Sequence, residues 1–384
     1  MEEQKKEDSN ELLENKSLTH NLPIYKNREL KKNILLLILV IVMFFLLLEI
    51  VLRLLSYPGY GFEEGFFEKD DVIGYKLSSN FSGTHSIYGK VSDVRTNSKG
   101  LRDDREYDYE KKNFRIVILG DSMTFGNGVN IEESYPEYLR ELFSNQNVEV
   151  INLGVPGYGI NNEYLSFIEE GSKYNPNIIL IGYVTNDWNT HQMIKKDNEK
   201  YIIDKNYSLP INDKGLLASS SNKFSVRSVH LFLLFNIKSY SFVYTKMRLL
   251  LSGIINKYWD TEVIPAYFWD SNSLEYKQAY DGYYSILKML KKRTNATIVI
   301  FIGPFRENVL NSEDIQKQFS IAYDVNVLQT QNSIKEIANR LNISVIEVTY
   351  NNTDIFIKTD GHWNAKGNKM MADTLYSELK KLSE

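Results

Sequence analysis

The hydrophobic and polar positions divide the chain into a polar beginning, one long apolar segment, and a region where short apolar runs alternate with amphipathic stretches. Residues 1–32 are polar and charged without an apolar period, which is typical of a disordered tail. From Ile34 to Leu48 all fifteen residues are apolar, and apolar residues continue past Glu49 to Leu55. At roughly 20 residues this segment is long enough to cross a bilayer. We therefore predict a transmembrane helix over residues 33–55.

A signal peptide and a buried core helix are the alternatives to a membrane helix for this segment. A signal peptide needs a small-residue cleavage site after the apolar run, and residues 54–58 (LLSYP) do not supply one. A buried core helix is disfavoured because the segment is apolar on every face and follows a disordered tail. The basic residues before it predict a cytoplasmic N-terminus and an extracytoplasmic main domain; they are Lys26, Arg28, Lys31 and Lys32.

Residues 56–112 are rich in aromatic residues and glycine and contain short alternating stretches, such as the one from Gly83 to Val91. Alternation of this kind favours β-strands. We therefore expect a β-rich lead-in that packs on the main domain, and not a free linker.

From residue 113 to 384, strand patterns alternate with helix patterns. The first run, Phe114 to Leu119, is continuous, apolar and β-branched, as in a buried parallel strand. Alternation of strands and helices predicts a parallel sheet with helices on both faces, that is, a three-layer α/β/α sandwich with about five strands. The predicted strands are 114–119, 148–152, 177–183, 297–302 and 343–348, and the helices are about 161–173, 273–293, 313–341 and 364–382.

A long insertion at about 189–270 separates the third strand from the fourth. Its middle is strongly apolar but is interrupted by Lys238, Lys246 and Arg248, so a second membrane span is not expected. We expect one or two cap helices over the active face, with a helix lying on the membrane surface as the alternative.

Composition excludes several classes of function. The net charge of −4 and the absence of a basic stripe argue against nucleic acid as a partner. The chain has no cysteine, so disulfides, thiol nucleophiles and cysteine-based metal sites are excluded. No cluster of His, Asp and Glu has metal-ligand spacing, and we expect no metal and no cofactor.

Four sites fall at strand ends or before the last helix, where open α/β sheets bind their ligands. Ser122, Gly154 and Asn186 follow the first three strands, and Asp360 and His362 precede the last helix. A serine needs a base to take its proton, a histidine suits neutral pH, and a carboxylate fixes the histidine tautomer. The Ser122 N–H, the Gly154 N–H and the Asn186 amide would bind an oxyanion. Taken alone, Gly-Asp-Ser is also an ordinary turn sequence.

The ordered set Gly120-Asp121-Ser122, Gly154, Asn186-Asp187 and Asp360 with His362 resembles the SGNH (GDSL) hydrolase family over about residues 113–384, the insertion excepted. The resemblance implies an SGNH/flavodoxin-like fold. It implies Ser122 as nucleophile and His362 as base, with Gly154 and Asn186 completing an oxyanion hole. Asp121 is expected to be a structural hydrogen-bonding residue of the turn.

This chain departs from the family pattern at two positions. Val184 stands where the third block usually has glycine, and Thr359 stands where the orienting aspartate usually lies. We expect Asp360, two residues before the histidine, to take that role, because a similar Asp-x-His spacing followed by Trp occurs in polysaccharide acetyltransferase relatives of the family.

The other four histidines are alternative candidates for the base, and one arginine is a candidate for substrate binding. His191, just after Asn186, is the competitor for the base, whereas His20 lies in the tail, His85 in the lead-in and His230 in the apolar insertion. Arg306 follows the fourth strand and is a candidate for binding substrate anions, with a solvated surface arginine as the alternative.

The sequence thus predicts a membrane-anchored serine esterase that cleaves ester-linked acyl groups through an acyl-enzyme. An extracytoplasmic site on an anchor favours acylated glycans or lipids of the cell envelope as substrates. One alternative is O-acyl transfer to a carbohydrate hydroxyl at the same site, and another is a non-catalytic binding or scaffold protein. The sequence does not define the acyl chain, the acceptor or the oligomeric state.

Overall fold

The computed structural model describes residues 24–57, 59–87, 90–189, 194–197, 200–203, 226–255, 270–309, 326–350, 352–357 and 360–383. The chain divides into two compact units. One comprises residues 1–57 with 237–239, and the other comprises residues 58–236 with 240–384.

The first unit is built on helix α1, Ile24–Leu54. Its part from Arg28 to Leu54 is long and apolar enough to cross a membrane: its most apolar 18-residue stretch has a mean hydropathy of 3.4, and none of that stretch is buried. The helix starts earlier than the predicted boundary at residue 33, so the end of the predicted tail is helical. The reason is that Arg, Glu, Leu and Lys, which fill this stretch, all favour helix.

The second unit begins with the lead-in, which holds short antiparallel strands. Strands β1, β4 and β5 form one sheet, and β2 pairs with β3. The lead-in is tied to the main domain, since the Tyr158 hydroxyl donates to Tyr75 O (2.6 Å) and the Tyr75 hydroxyl donates to Pro156 O (3.0 Å). The strands are β1 Gly61–Phe62, β2 Phe67–Asp70, β3 Gly74–Leu77, β4 Ser82–Ile87 and β5 Lys90–Arg95.

The core of the second unit is a five-stranded sheet in the order β12-β11-β8-β6-β7. Every neighbouring pair in it is parallel. The central strands are apolar runs, apart from Arg115 in β6, and are buried, because helices cover both faces of such a sheet. The strands are β6 Phe114–Gly120, β7 Val148–Asn152, β8 Ile178–Tyr183, β11 Thr297–Ile302 and β12 Ser344–Glu347.

Helices flank this sheet as the alternating pattern predicted. Helix α3 packs against α10, while α7 packs against both α4 and α9. The three-layer α/β/α class is therefore confirmed. The helices are α2 Ser122–Phe125, α3 Tyr135–Leu142, α4 Ile160–Glu169, α7 Leu274–Arg293, α8 Arg306–Val309, α9 Gln329–Leu341 and α10 Ala365–Ser383. The predicted helix over 313–341 is wrong at its N-terminal side, because the described residues 326–328 are not helical and α9 begins only at Gln329; the predicted start at residue 313 lies outside the described residues.

The insertion contains strands β9 Ile194–Asp197 and β10 Lys200–Ile203, which pair with each other, and helices α5 Val226–Asn236 and α6 Lys238–Ile255. The rest of the insertion, 190–193, 198–199, 204–225 and 256–269, lies outside the described residues. Its role as a cap stays a prediction.

Candidate active site

The candidate nucleophile stands at the turn where β6 ends and α2 begins. Asp121 is the N-cap of α2, and its Oδ1 accepts the backbone N–H of Met123 at 2.8 Å. This places Ser122 in the first turn of the helix, at the carboxyl end of a central strand. The Asp121 carboxylate also lies 3.2 Å from Ser122 Oγ. Asp121 therefore fixes the turn, as expected from the sequence.

The candidate base, His362, lies in the loop before α10. The next residue, Trp363, anchors this loop. Trp363 is buried and donates from its indole nitrogen to Pro304 O at 2.9 Å, just beyond the end of β11. The backbone on the other side is fixed too, because Ile357 N–H donates to His362 O at 2.8 Å. The imidazole is thus held from two sides at the carboxyl edge of the sheet.

Ser122, His362 and Asp360 form a continuous chain of contacts. Ser122 Oγ lies 2.8 Å from His362 Nε2. On the other side of the ring, His362 Nδ1 contacts Asp360 Oδ1, which also accepts the backbone N–H of His362 at 2.8 Å. Residues 240 positions apart in the sequence therefore meet in the order hydroxyl, imidazole, carboxylate.

The charges of this chain favour a basic imidazole. Burial alone would lower the pKa of His362, but the Asp360 carboxylate and its hydrogen bond outweigh burial and raise that pKa above the ordinary value of 6.5. Burial also works against ionisation of Asp360, yet the charge of His362 and two hydrogen bonds lower the pKa of Asp360 to about 2. The carboxylate is therefore ionised throughout the neutral range.

Gly154 lies where the loop after β7 meets α2. A Cβ at this position would come within 2.7 Å of Phe125 N and of Thr124 Cγ2, so only glycine permits this approach. The Gly154 N–H donates to Asn152 Oδ1 at 2.8 Å. In this structure the Gly154 N–H, the predicted oxyanion donor, is therefore hydrogen-bonded within its own loop. Gly157, three residues further along this loop, is exposed and has a φ of +81°.

Asn186 lies in the 3-10 turn Thr185–Asn189 that follows β8, at the same edge of the sheet. Its side chain lies outside what the structure describes, so its predicted donor role stays a prediction. Its neighbour Asp187 is buried and accepts the Val184 N–H at 2.9 Å. Burial, with the nearby Asp121 charge, raises the pKa of Asp187 and of the buried Glu163 on α4 well above the ordinary range.

The sequence did not single out Asn127, which the structure brings to the base. Asn127 Nδ2 lies 3.4 Å from His362 Nε2, and the residue is buried. Its position between Gly126 and Gly128 indicated a turn but gave no sign of which side chain the turn would meet.

His85 and Arg102 of the lead-in also reach this region. His85 stacks on Phe62 with 3.7 Å between ring centroids, and burial, helped by His362 and Arg102, lowers its pKa to about 3. Arg102 is buried and donates to Phe125 O, Gly126 O and Val129 O in the loop after the nucleophile. The sequence placed both residues only in the lead-in, because contacts between distant segments leave no periodic signal.

The remaining candidates include one histidine that is engaged in the insertion and two that the structure does not describe. His230 Nδ1 lies 2.8 Å from the Tyr240 hydroxyl, whereas His191 and His20 lie outside the described residues. Arg306 opens α8 after β11 and is half-buried. Among the residues that the structure describes, no group of three or more His, Cys, Asp or Glu side chains is arranged to hold a metal ion.

This geometry agrees with comparisons to known proteins. Residues 118–370 match the GDSL-like Lipase/Acylhydrolase family, and the chain belongs to this family. It is accordingly an SGNH-type ester hydrolase. No curated protein matches the chain.

Solved structures with a related fold include several esterases. The acetyl xylan esterase AlAXEase is 12% identical, with a TM-score of 0.38, and the match covers 69% of this chain and all of the other. A catalytic mutant of Axe2, an acetylxylan esterase from Geobacillus stearothermophilus, is 12% identical with a TM-score of 0.39, covering 71% and 96%. The psychrotrophic esterase EstA from a Pseudoalteromonas species is 14% identical with a TM-score of 0.35, covering 70% and 98%.

Proposed function

We propose that this protein is a membrane-anchored serine esterase that removes small acyl groups from glycans of the cell envelope through an acyl-enzyme. The observation that carries the proposal is the 2.8 Å contact between Ser122 Oγ and His362 Nε2, with Asp360 on the opposite ring nitrogen. A hydroxyl, an imidazole and a carboxylate in this order are the parts that nucleophilic acyl transfer requires.

In acylation, Ser122 Oγ attacks the ester carbonyl while its proton passes to His362 Nε2. The ionised Asp360 carboxylate keeps the Nδ1 proton in place and stabilises the imidazolium. The imidazolium then gives its proton to the leaving alcohol oxygen as the carbonyl re-forms. In deacylation, water gives a proton to His362 and attacks the acyl carbon, after which the bond between the acyl carbon and Ser122 Oγ breaks and Ser122 Oγ takes the proton back from His362.

The tetrahedral intermediates need hydrogen-bond donors aimed at their oxyanion. We assign this role to the Ser122 N–H, at the start of α2, to the Gly154 N–H and to the Asn186 amide. Because the Gly154 N–H donates to Asn152 in the free protein, Gly154 serves only if substrate binding releases that bond. Arg306, at the same edge of the sheet, is assigned to anionic groups of the substrate.

The substrate class follows from the anchor and the charges around it. Helix α1 is apolar enough to span a membrane, and the basic residues before it favour a cytoplasmic N-terminus. The catalytic unit would then face the cell envelope, where acylated glycans and lipids are accessible esters, and the chain-length series below distinguishes small acyl groups from lipid chains.

The experiment that tests the proposal compares wild type, Ser122→Ala and His362→Ala on p-nitrophenyl esters of increasing chain length. We expect turnover to be lost in both variants, a fluorophosphonate probe to label Ser122, and acetate esters to be preferred over long acyl chains. Comparable turnover in all three proteins would refute the assignment of Ser122. Labelling without hydrolysis, and acetyl groups appearing on an added carbohydrate, would establish transfer to a hydroxyl as the reaction.

A further inference from the structure

The turn that follows the nucleophile helix carries a buried amide with unmet hydrogen-bonding capacity. Asn127 Oδ1 has no hydrogen-bond partner among the described residues, although it is buried. Its Nδ2 has only the long contact of 3.4 Å to His362 Nε2. A buried amide left partly unpaired costs free energy, so its retention beside the base calls for an explanation.

Turn formation explains the backbone of Asn127 but not its side chain. Gly126 and Gly128 take φ values of +87° and +75°, and the Asn127 N–H donates to Ser122 O at 2.9 Å. Any residue that tolerates the turn would satisfy these backbone contacts. The side chain, however, points into the edge of the site where the proton of Ser122 is transferred.

The position of this turn is fixed from outside the SGNH domain. The Arg102 guanidinium donates to Phe125 O (2.5 Å), Gly126 O (2.7 Å) and Val129 O (2.7 Å), and it lies 4.3 Å from the centroid of the Phe125 ring. Burial lowers the pKa of Arg102 to about 9, which leaves it charged at neutral pH. The charged Arg102 side chain therefore fixes the backbone of the turn both before and after Asn127.

The neutral imidazole has one lone pair at Nε2, and the Ser122 hydroxyl uses it. The amide of Asn127 cannot use that lone pair at the same time, so it needs another partner near Nε2. The alcohol oxygen of an ester must lie within hydrogen-bond reach of Nε2 to receive the proton from His362. Because Asn127 Nδ2 lies 3.4 Å from Nε2, an oxygen placed between the two nitrogens is within hydrogen-bond reach of both.

We propose that Asn127 is a further catalytic residue, which binds the alcohol oxygen of the substrate at His362. This inference rests on the proposed serine mechanism. In acylation the amide N–H donates to the leaving oxygen while the bond from that oxygen to the acyl carbon breaks and the proton moves from Nε2 to the oxygen. In deacylation the same amide holds the oxygen of the incoming water or hydroxyl as its proton moves to Nε2.

The leaving group provides the test. The full-length protein is assayed in detergent on a series of phenyl acetates, from p-nitrophenyl acetate to p-methoxyphenyl acetate, for wild type and Asn127→Ala. A p-nitrophenolate leaves as a stable anion and needs little help, whereas a basic phenolate depends on hydrogen bonding and proton transfer. We expect kcat/KM of the variant to be near that of wild type for the p-nitrophenyl ester and about tenfold lower for the most basic leaving group.

Asn130→Ala is the matched control. Asn130 Oδ1 accepts the Asp93 N–H at 3.1 Å and so ties the same turn to the lead-in away from the base. Loosening of the turn should change kcat/KM by one factor across the whole series. An equal change, or no change, across the series for Asn127→Ala would overturn the proposal. Failure of the serine mechanism itself is distinguishable, because Ser122→Ala would then retain hydrolysis of every ester.

Discussion

At the scale of single residues, the charge on Asp360 sets the proton affinity of His362. The Asp360 carboxylate contacts His362 Nδ1, and its charge raises the pKa of His362 despite burial. A base acts only when it is neutral, so activity should rise with pH as His362 loses its proton. This rise forms the acidic limb of the pH profile of kcat/KM, and the pH at which it occurs reports the influence of Asp360 on the pKa of His362.

We predict that Asp360→Asn moves the acidic limb of kcat/KM to lower pH. Without the carboxylate, burial is the main remaining influence and lowers the pKa of His362, so the base becomes neutral at a lower pH. The plateau should also fall by about 10³- to 10⁴-fold, because the tautomer and the imidazolium are no longer supported. The measurement is the pH dependence of kcat/KM for p-nitrophenyl acetate between about pH 5 and 9.

Asp354→Asn is the matched control for this prediction. Asp354 is an exposed carboxylate paired with Lys366, and it is nearby in the sequence but not in contact with the imidazole. Its loss should leave the limb where it is in wild type. A limb that moves to higher pH in Asp360→Asn, or does not move, would contradict the assignment of Asp360.

At the scale of elements, the sheet was the part of the fold that local patterns specify best. The predicted strands beginning at Phe114, Val148 and Thr297 begin at the same residues in the structure. Buried parallel strands are rich in apolar, β-branched residues, and this pattern is recognisable even though Arg115 lies in β6 and Glu149 in β7. The position of Ser122 then follows from the end of β6, whereas His362 lies in the loop before α10.

Contacts between distant segments were beyond the reach of sequence reasoning. Arg102 stands in a charged stretch that resembles a solvated connection, yet its side chain is buried against the turn that follows the nucleophile. The sequence also did not indicate that Asn152 would accept the Gly154 N–H, since an asparagine at the end of a strand suits a turn as well. Such details depend on the packing of whole elements, not on local pattern.

We predict that Arg102→Ala destabilises the second unit and slows the reaction of Ser122 with a fluorophosphonate. The substitution leaves three buried carbonyls without their charged donor, and hydrogen bonds to charged groups contribute about 1.5–3 kcal/mol each at most sites. A loss of at least about 3 kcal/mol in the free energy of unfolding is expected, because the three bonds share one guanidinium and their contributions do not add independently. Urea denaturation followed by tryptophan fluorescence, with the labelling rate measured in parallel, provides the measurement.

Arg95→Ala is the control for Arg102. Arg95 is paired with Asp104 and Glu132 at the surface, and exposed ion pairs contribute less than about 1 kcal/mol. Equal losses of stability in the two variants would show that Arg102 does not fix the turn. An Arg102→Ala protein with the stability and the fluorophosphonate labelling rate of wild type would also show that Arg102 does not fix the turn.

At the scale of the whole molecule, an apolar helix and a catalytic unit occupy one chain as separate compact units. The anchoring proposal assigns the catalytic unit to the outer side of the membrane. The chain has no cysteine, so a single introduced cysteine reports the location of one position without background. Ser9 in the N-terminal tail and the exposed Lys112 between β5 and β6 are suitable positions.

We predict that a membrane-impermeant maleimide labels Lys112→Cys in intact cells but labels Ser9→Cys only after the membrane is permeabilised. The reason is that Lys26, Arg28, Lys31 and Lys32 retain the N-terminus in the cytoplasm while the residues after α1 are translocated. Both variants should remain in the membrane fraction after an alkaline wash. Labelling of Ser9→Cys in intact cells would reverse the orientation. Release of a shortened Lys112→Cys chain from the membrane would identify α1 as a cleaved signal sequence and remove the basis for an anchored enzyme.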